Sequence, residues 1–493
     1  MKYRLFILFV FISFSFVFAQ TEKEKVLSTV TKDAIEGHIY FLADDLLKGR
    51  ETGTPEAKIA ASYLANTLRS YGVKTLPGTQ SYFQEVYLQK TSPPRRLTLT
   101  LDGNLVKTMV ALKTSEMNYS EDAIFLNYGL ETDYKGKEVQ GKLVIVKGGG
   151  PDSKDTRAAF RLIAKKMELA KKAGAIGIIE LMQTDDTIWG FIDHNFNADQ
   201  LSIASEEQEV TKEVGFVYLW LQDVKGDIGN EMELKSAVKI RLLMEDKSVE
   251  PVVSQNVVGM VEGSDSLLKN EFIIYSAHYD HVGIGTPDDT GDVIYNGARD
   301  NAVGTTTVLS MAQNLVKFPT KRSALFILFT GEEKGLLGSG YYVDHPLLPL
   351  SQMVYCFNSD NAGYNDTSVA TIIGLERTTA AQHIKNAAMT FGLTAIDDPA
   401  PEQGLFDRSD NVHFAKKGIP SPTYSLGFRS FDGDVTKYYH RPGDEADNLD
   451  YDYLYKFFSS YVLAGRLIGN DSVTPTWTIG DVYENAGELL YTK

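Results

Sequence analysis

Five side chains able to hold metal ions, His278, Asp300, Glu333, Asp360 and His440, recur at the ends of apolar runs between residues 275 and 440. In EFIIYSAHYDHVG (residues 271–283) a run of β-forming residues delivers His278 at its end and Asp280 two positions later. A period of two puts both on one face. A neutral imidazole suits zinc, and a carboxylate close behind it accepts the second ring N–H, fixing the tautomer and strengthening the ligand. NGARDNAVGTTTVLSMAQNL sets Asp300 in a Gly- and Asn-bearing loop just before an apolar segment of helical period. A carboxylate there can bridge two cations. RSALFILFTGEEKGLLGSG runs a buried-type strand, residues 324–330, into the adjacent acids Glu332 and Glu333. Neighbouring side chains at a strand end diverge, so one can bind metal while the other moves protons. VYCFNSDNAG (residues 354–363) repeats the arrangement with Asp360, and KYYHRPGDEADNLD supplies His440 directly after Tyr439.

Shared as one imidazole, one private carboxylate and the common Asp300 per metal, these groups set three negative charges against four positive ones. The residual positive charge favours a bridging hydroxide. This is the two-metal arrangement, with ions roughly 3.5–4 Å apart, that lowers the pKa of water and stabilises a developing oxyanion. Ligation by nitrogen and oxygen without thiolate fits catalytic zinc better than structural zinc.

The motifs HYD at 278, GARDNAVG at 297, GEE at 331, NSD at 358 and YHRPGDEAD at 439 resemble those of the co-catalytic di-zinc exopeptidases. That family includes secreted aminopeptidases, glutamate carboxypeptidases, glutaminyl cyclases and the inactive transferrin receptors. The motifs stand in the family's order, and the resemblance spans most of the chain after Val252. It implies two zinc ions, one held by His278, Asp300 and Asp360 and the other by Asp300, Glu333 and His440. It also implies that Asp280 orients His278, that Glu332 is the general base, and that Tyr439 hydrogen-bonds the substrate carbonyl. In FDRSDNVHFAKKGIPS (residues 406–421), which resembles the family's substrate-pocket region, many relatives carry His where this chain has Asn411. That departure bears on side-chain preference and leaves the ligands intact. His413, Arg408 and Arg429 are further candidates for pocket contacts. His281 follows the first motif closely enough to touch the site but is not read as a ligand. His38, His194, His345 and His383 read as surface or packing residues.

The elements that must position these groups follow from periodicity. After Val252, apolar strands (QNVVGMVEG, EFIIYSA, SALFILFT, MVYCFN, VATIIGL) alternate with helix-like segments. This alternation predicts a three-layer α/β domain with a mostly parallel mixed sheet, in which ligands gather outside the carboxyl ends of the strands. Residues 20–105 read as the N-terminal part of the same domain, with helical spacing over 35–47 and an amphipathic helix ending at Gly72. The GRETGT loop between them reads as a helix cap, with the cleft as its rival destination. Residues 106–250 change character to strands separated by polar turns and resemble a protease-associated insertion. Its expected role is to wall the cleft and limit substrate size, against a plain solubility module. The catalytic part resumes over residues 251–475, and residues 476–493 read as a loosely held tail.

The first nineteen residues carry Lys2 and Arg4, an apolar run and a small residue at Ala19, the pattern of a cleaved secretory signal peptide. An uncleaved anchor is the competing reading. Secretion or export to a periplasm follows, with no stable membrane anchoring after cleavage. The 43% apolar share is ample for a large core, and 493 residues imply more than one domain. Cys356 is the only cysteine, so no intramolecular disulfide forms and a buried structural thiol is expected. Net charge is −16, and −18 once Lys2 and Arg4 are removed, which argues against nucleic acid or anionic membranes as partners. The function expected is a zinc exopeptidase acting on peptides, foremost an aminopeptidase. The alternatives are a carboxypeptidase or dipeptidase of the same family, a glutaminyl cyclase, and a non-catalytic receptor-like protein, which would have lost ligands or the Glu332 equivalent.

Overall fold

The computed structural model describes residues 20–204, 215–235, 237–245 and 248–492. The signal-peptide segment, residues 1–19, lies outside the described residues. Two compact units result, one from the described residues of 20–86 and 254–492, the other from those of 87–253. The chain passes between them within the strands Phe83–Thr91 and Val249–Val261.

In the larger unit the strands Phe272–His278, Ser323–Phe329 and Met353–Ser359 are buried along their whole length. They pair parallel with one another, Phe272–His278 in the middle. The sheet continues through Thr423–Ser425, Val369–Ile373 and Thr394–Asp397 on one side and Val249–Val261 on the other, with antiparallel pairing of Val369–Ile373 to Thr423–Ser425 and of Val249–Val261 to Ser323–Phe329. The result is the mixed, mostly parallel sheet of an α/β fold. Parallel strands covered on both faces read as continuous apolar runs, which is why these segments show little alternation in sequence.

Parity decides which layer each side chain enters. Ile273, Tyr275, Ala277, Ala324, Phe326, Leu328, Tyr355 and Phe357 join the core under the helices Lys32–Leu42, Pro55–Tyr71, Gly304–Lys317 and Tyr451–Asn470. Phe272, Ile274, Leu325, Ile327, Phe329 and Cys356 point to the opposite core, with Tyr342 and Phe414 from the helices Leu337–Asp344 and Asn411–Lys416. Each buried Leu, Ile or Phe among them contributes about 1.5–3 kcal/mol on burial. The helix Pro55–Tyr71 starts where Thr54 Oγ1 accepts from Ala57 N at 3.2 Å and stops at Gly72, whose φ of 95° few other residues adopt.

Two expectations are corrected. Arg96–Leu101, assigned above to the N-terminal part of the larger domain, pairs over its full length with Val238–Glu245 in the smaller unit, so the crossing comes at Tyr87. The segment 476–493 is no loose tail. Trp477 is buried, its Nε1 donates to Gly418 O at 2.9 Å, and the helix Glu484–Tyr491 is fastened where Tyr491 Oη donates to Met353 O at 2.6 Å. Isolated aromatic anchors leave no periodic signal in so short a stretch.

The smaller unit holds an eight-stranded sheet. Within it Leu143–Lys147, Gly177–Met182 and Val217–Gln222 are neighbours and pair parallel. Its core encloses one ion pair, Lys166 Nζ to Glu180 Oε1 at 2.5 Å, with both side chains fully buried. Glu180 also accepts from Tyr218 Oη and Trp220 Nε1, each at 2.6 Å, and from Gly149 N at 3.1 Å. Lys166 donates besides to Lys147 O at 3.0 Å. Each carboxylate oxygen of Glu180 accepts two hydrogen bonds and the Lys166 ammonium donates two, the internal pairing that a dehydrated ion pair requires.

Candidate metal centre

The carboxyl ends of the three central strands of the larger unit lie along one edge of the sheet, and each ends in a ligand-type residue. Phe272–His278 ends on His278, Ser323–Phe329 leads through Thr330 and Gly331 to Glu332 and Glu333, and Met353–Ser359 is followed by Asp360. Asp300 sits in the irregular turn Ala298–Val303 that opens the helix Gly304–Lys317, and the peptide between Asp300 and Asn301 is cis. His440 comes from the loop before the last long helix, with φ at 51°, a left-handed conformation uncommon for residues other than glycine.

The fold gathers these residues into two groups, each able to offer ligand atoms that all lie within 4.8 Å of one another. One is His278, Glu332 and Asp360, and the other is His281, Asp300, Glu333 and His440. Asp300 joins them: its Oδ1 is 3.3 Å from His278 Nε2 and its Oδ2 is 3.2 Å from His440 Nε2. His278 Nε2 also stands 3.2 Å from Asp360 Oδ1, and His440 Nε2 stands 3.1 Å from Glu333 Oε2. Tetrahedral zinc with bonds of about 2.0–2.1 Å has ligand-to-ligand edges of about 3.3 Å, which these separations match. His440 Nε2 is buried and, close as it is to two carboxylates, is aligned for a hydrogen bond with neither. The donor set, imidazole nitrogens and carboxylate oxygens, fits zinc.

The electrostatics ask for cations. Burial favours the neutral imidazole, yet the carboxylates of Glu332, Asp360 and Asp300 raise the His278 pKa well above its ordinary value. Those of Asp300 and Glu333 likewise outweigh burial and push His440 up to about 10. Burial acts to raise Asp300 and Glu333, but the neighbouring imidazoles hold Asp300 well below the usual carboxylate range and Glu333 at about 2. Glu332 goes the other way, raised well above its ordinary value by burial and by Asp360 and Glu333. Two adjacent glutamates thus differ in charge preference because one faces imidazoles more closely than the other.

Behind the candidate ligands lies a scaffold whose contacts leave no local signal in the sequence. His278 Nδ1 meets the main-chain O of Asp280 at 3.1 Å, whereas the Asp280 carboxylate is 3.9 Å away, beyond hydrogen-bond range. The expected orienting contact on His278 therefore falls to the Asp280 backbone, and the Asp280 side chain turns to Thr52 Oγ1 at 2.7 Å and Glu332 N at 3.2 Å. His281 Nδ1 reaches Glu333 Oε1 at 2.7 Å, so the residue set aside as a non-ligand enters the group. Asp444 accepts from Arg299 N and Asp300 N, and pairs with the Arg299 guanidinium at 2.9 Å. Asn301 Nδ2 donates to Ser359 O at 2.9 Å, and its Oδ1 accepts from Asn361 Nδ2 at 3.0 Å, tying the Asp300 turn to the Asp360 loop. Asp444, Arg299 and Asn301 all lie inside the motifs quoted above; Thr52 had no local signal.

A cleft of ≈ 580 Å³ opens over His278, Asp300, Glu332 and Asp360, with Tyr439 on its wall. Ile373, Leu405, Phe428 and Phe431 supply an apolar side and Arg408 a charge. Tyr439 stacks on the His440 ring at 3.9 Å, and burial with the nearby Asp300 and Glu333 keeps its phenol protonated. Arg429 is engaged by Asp366 at 2.6 Å, and neither it nor His413, which packs near Gly340, lines the cleft. Asn411 is buried, donating to Ser421 O at 3.1 Å. His38 is a packing residue between Tyr63 and Tyr71.

Residues 256–463 match the model of Peptidase family M28. The chain is 29% identical over 233 residues to Aminopeptidase YwaD of Bacillus subtilis, a match covering 46% of each chain. It is 23% identical over 385 residues to the probable leucine aminopeptidase 2 of Aspergillus fumigatus, covering 71% of this chain and 67% of that protein. The chain therefore spans about half the length of the first of these relatives. Among solved structures, an aminopeptidase from Aneurinibacillus sp. strain AM-1 superposes with a TM-score of 0.64 at 19% identity, over 93% of this chain and 98% of that one. The zinc aminopeptidase BSAP of Bacillus subtilis gives 0.54 at 20% identity, over 90% and 97%. The fold is theirs.

Proposed function

Because residues 256–463 match the model of Peptidase family M28, we propose that the chain is a zinc-dependent aminopeptidase that releases N-terminal residues from peptides. The observation that carries this reading is the division of one carboxylate, Asp300 Oδ1 towards His278 and Oδ2 towards His440. In this reading two zinc ions would be held here, one by His278, Asp300 and Asp360 and the other by Asp300, Glu333 and His440. His281 occupies Glu333 Oε1 and leaves Oε2 facing His440, so His281 orients a ligand and is not one.

Zinc at these positions supplies Lewis acidity towards a carbonyl and a water of lowered pKa. Glu332 lines the cleft with a carboxyl whose proton affinity is raised by burial, so it takes a proton at its carboxylate from water and returns it to the leaving amine. Its backbone N–H is fixed on Asp280 Oδ1, which keeps the strand end from drifting. Tyr439, protonated at neutral pH, donates its hydroxyl towards the substrate carbonyl. Ile373, Leu405, Phe428 and Phe431 receive an apolar side chain. No helix among the described residues is long and apolar enough to cross a membrane. With residues 1–19 read as an export signal, the site of action is outside the cytoplasm, secreted or periplasmic.

A panel of free-amine, amino-blocked and carboxyl-blocked peptides, assayed before and after chelation and again after zinc return, tests the proposal. Free-amine and carboxyl-blocked peptides are cut from the amino end, amino-blocked ones are spared, and chelation abolishes turnover reversibly. Cleavage of amino-blocked peptides from the carboxyl end replaces the reading with a carboxypeptidase, and pyroglutamate formation without peptide cleavage replaces it with a cyclase.

A further inference from the structure

The N-terminal loop GRETGT, residues 49–54, reaches the back of the metal centre from far away in sequence. Arg50 is buried, with a left-handed φ of 50°, and its guanidinium donates to four carbonyls. These are Leu42 O, Tyr279 O at 2.8 Å, Asn296 O at 2.6 Å and Gly297 O at 3.0 Å. The main-chain O of Arg50 takes His281 N at 3.3 Å, and Glu51 pairs with Lys334 at 2.8 Å. Such a guanidinium fixes the loop against both ligand-bearing turns, around 279–281 and 296–297.

What the fixed loop presents is Thr52. Its Oγ1 donates at 2.7 Å to Asp280 Oδ2, while Asp280 Oδ1 accepts Glu332 N at 3.2 Å. Asp280 is fully buried, and a buried carboxylate is held by the donors it has. We propose that Thr52 is a positioning residue for the reaction: by locking the Asp280 carboxylate it fixes the main chain of Glu332, and hence the reach of the Glu332 carboxyl into the cleft. The inference rests on the reading of Glu332 as the proton carrier. Thr52 touches neither ligand nor substrate and acts through Asp280 alone. Groups behind a metal centre typically carry about 10–100-fold in affinity or activity.

Thr52→Val keeps the shape and removes the donor; Thr52→Ser keeps the donor. In the zinc-loaded full chain, Thr52→Val lowers kcat about 10–100-fold with KM changed less than about threefold, and Thr52→Ser restores kcat. Zinc content stays that of the wild type, and deuterium exchange of the Glu332 amide accelerates in Thr52→Val, with zinc or without it, and returns to normal in Thr52→Ser. In an Asp280→Asn background the Thr52→Val effect disappears. Turnover of Thr52→Val within about twofold of wild type, or an unchanged Glu332 amide, overturns the proposal. Should Thr52→Val not fold, Thr52→Ser and Thr52→Cys provide the comparison: kcat falling with donor strength supports it, equal kcat overturns it. An active Glu332→Gln enzyme sinks the functional reading instead, whereas an inactive one beside a neutral Thr52→Val sinks this inference alone.

Discussion

Each unit of this protein buries acidic side chains, and each treats them differently. In the smaller unit Glu180 is met by an ammonium, a phenol, an indole N–H and a backbone N–H, and the charge is fully answered from within the chain. In the larger unit Asp300, Glu332, Glu333 and Asp360 crowd together with imidazoles as their nearest partners, and both oxygens of the neighbouring buried Asp410 lack any partner. Burial pushes Asp410 up to about 7. A carboxylate that serves only the fold is satisfied by the fold; a group of them left with an unmet demand for positive charge is a place where cations and protons are handled.

Removing one atom's worth of chemistry from the larger unit breaks the contrast most severely. Glu332→Gln retains size and packing but takes up no proton, and kcat falls about 10³-fold while bound zinc, measured by elemental analysis, is unchanged. Turnover near wild type in that variant would remove Glu332 from the mechanism.

The corresponding change in the smaller unit, Glu180→Gln, strands the Lys166 ammonium in a dry core. It destabilises by about 3–5 kcal/mol, read as a lower denaturation midpoint, with kcat per folded enzyme little altered. If stability were untouched, the pair would not be the internally satisfied element described above.

A finer test sets two imidazoles of the larger unit against each other. His440 is pushed up to about 10 by Asp300 and Glu333 against the effect of burial, but His38, meeting only the hydroxyls of Tyr63 and Tyr71, is lowered by burial to about 4. Between that value and the ordinary 6.5 the unfolded chain binds more protons at this site than the folded one. The contribution of His38 to stability is therefore present above 6.5 and lost as pH falls towards 4, by at most about 3 kcal/mol. Thermal unfolding of wild type and His38→Gln across that window checks it, the variant showing the shallower decline. Parallel curves would show that His38 titrates normally.

Much of this was legible in the chain before folding. The strands ending at His278, ahead of Glu332 and at Asp360 are continuous apolar runs, and parallel strands ordered side by side bring their ends to one edge. Three of the five ligand candidates, His278, Glu333 and Asp360, are therefore legible from local pattern, whereas Asp300 and His440 come from a turn and a loop. The extent of the smaller unit was less legible, because Arg96–Leu101 alternates like any amphipathic strand and its partner, Val238–Glu245, lies far along the chain. The C-terminal segment was misjudged for a related reason: a single Trp477 and a single Tyr491, each with one distant carbonyl, hold it down.

The sequence by itself determined which side chains could bind metal and that strand ends would present them, since residue type and apolar period are local properties. Only the tertiary structure decided what stands behind them. Thr52 meets Asp280 across 228 positions, and Asp444 meets Asp300 across 144. It also turned the Asp280 carboxylate away from His278 and brought His281 onto Glu333. Hydrogen bonds between residues so far apart leave no periodicity and no spacing rule, because their geometry exists only after both segments have packed on the same sheet.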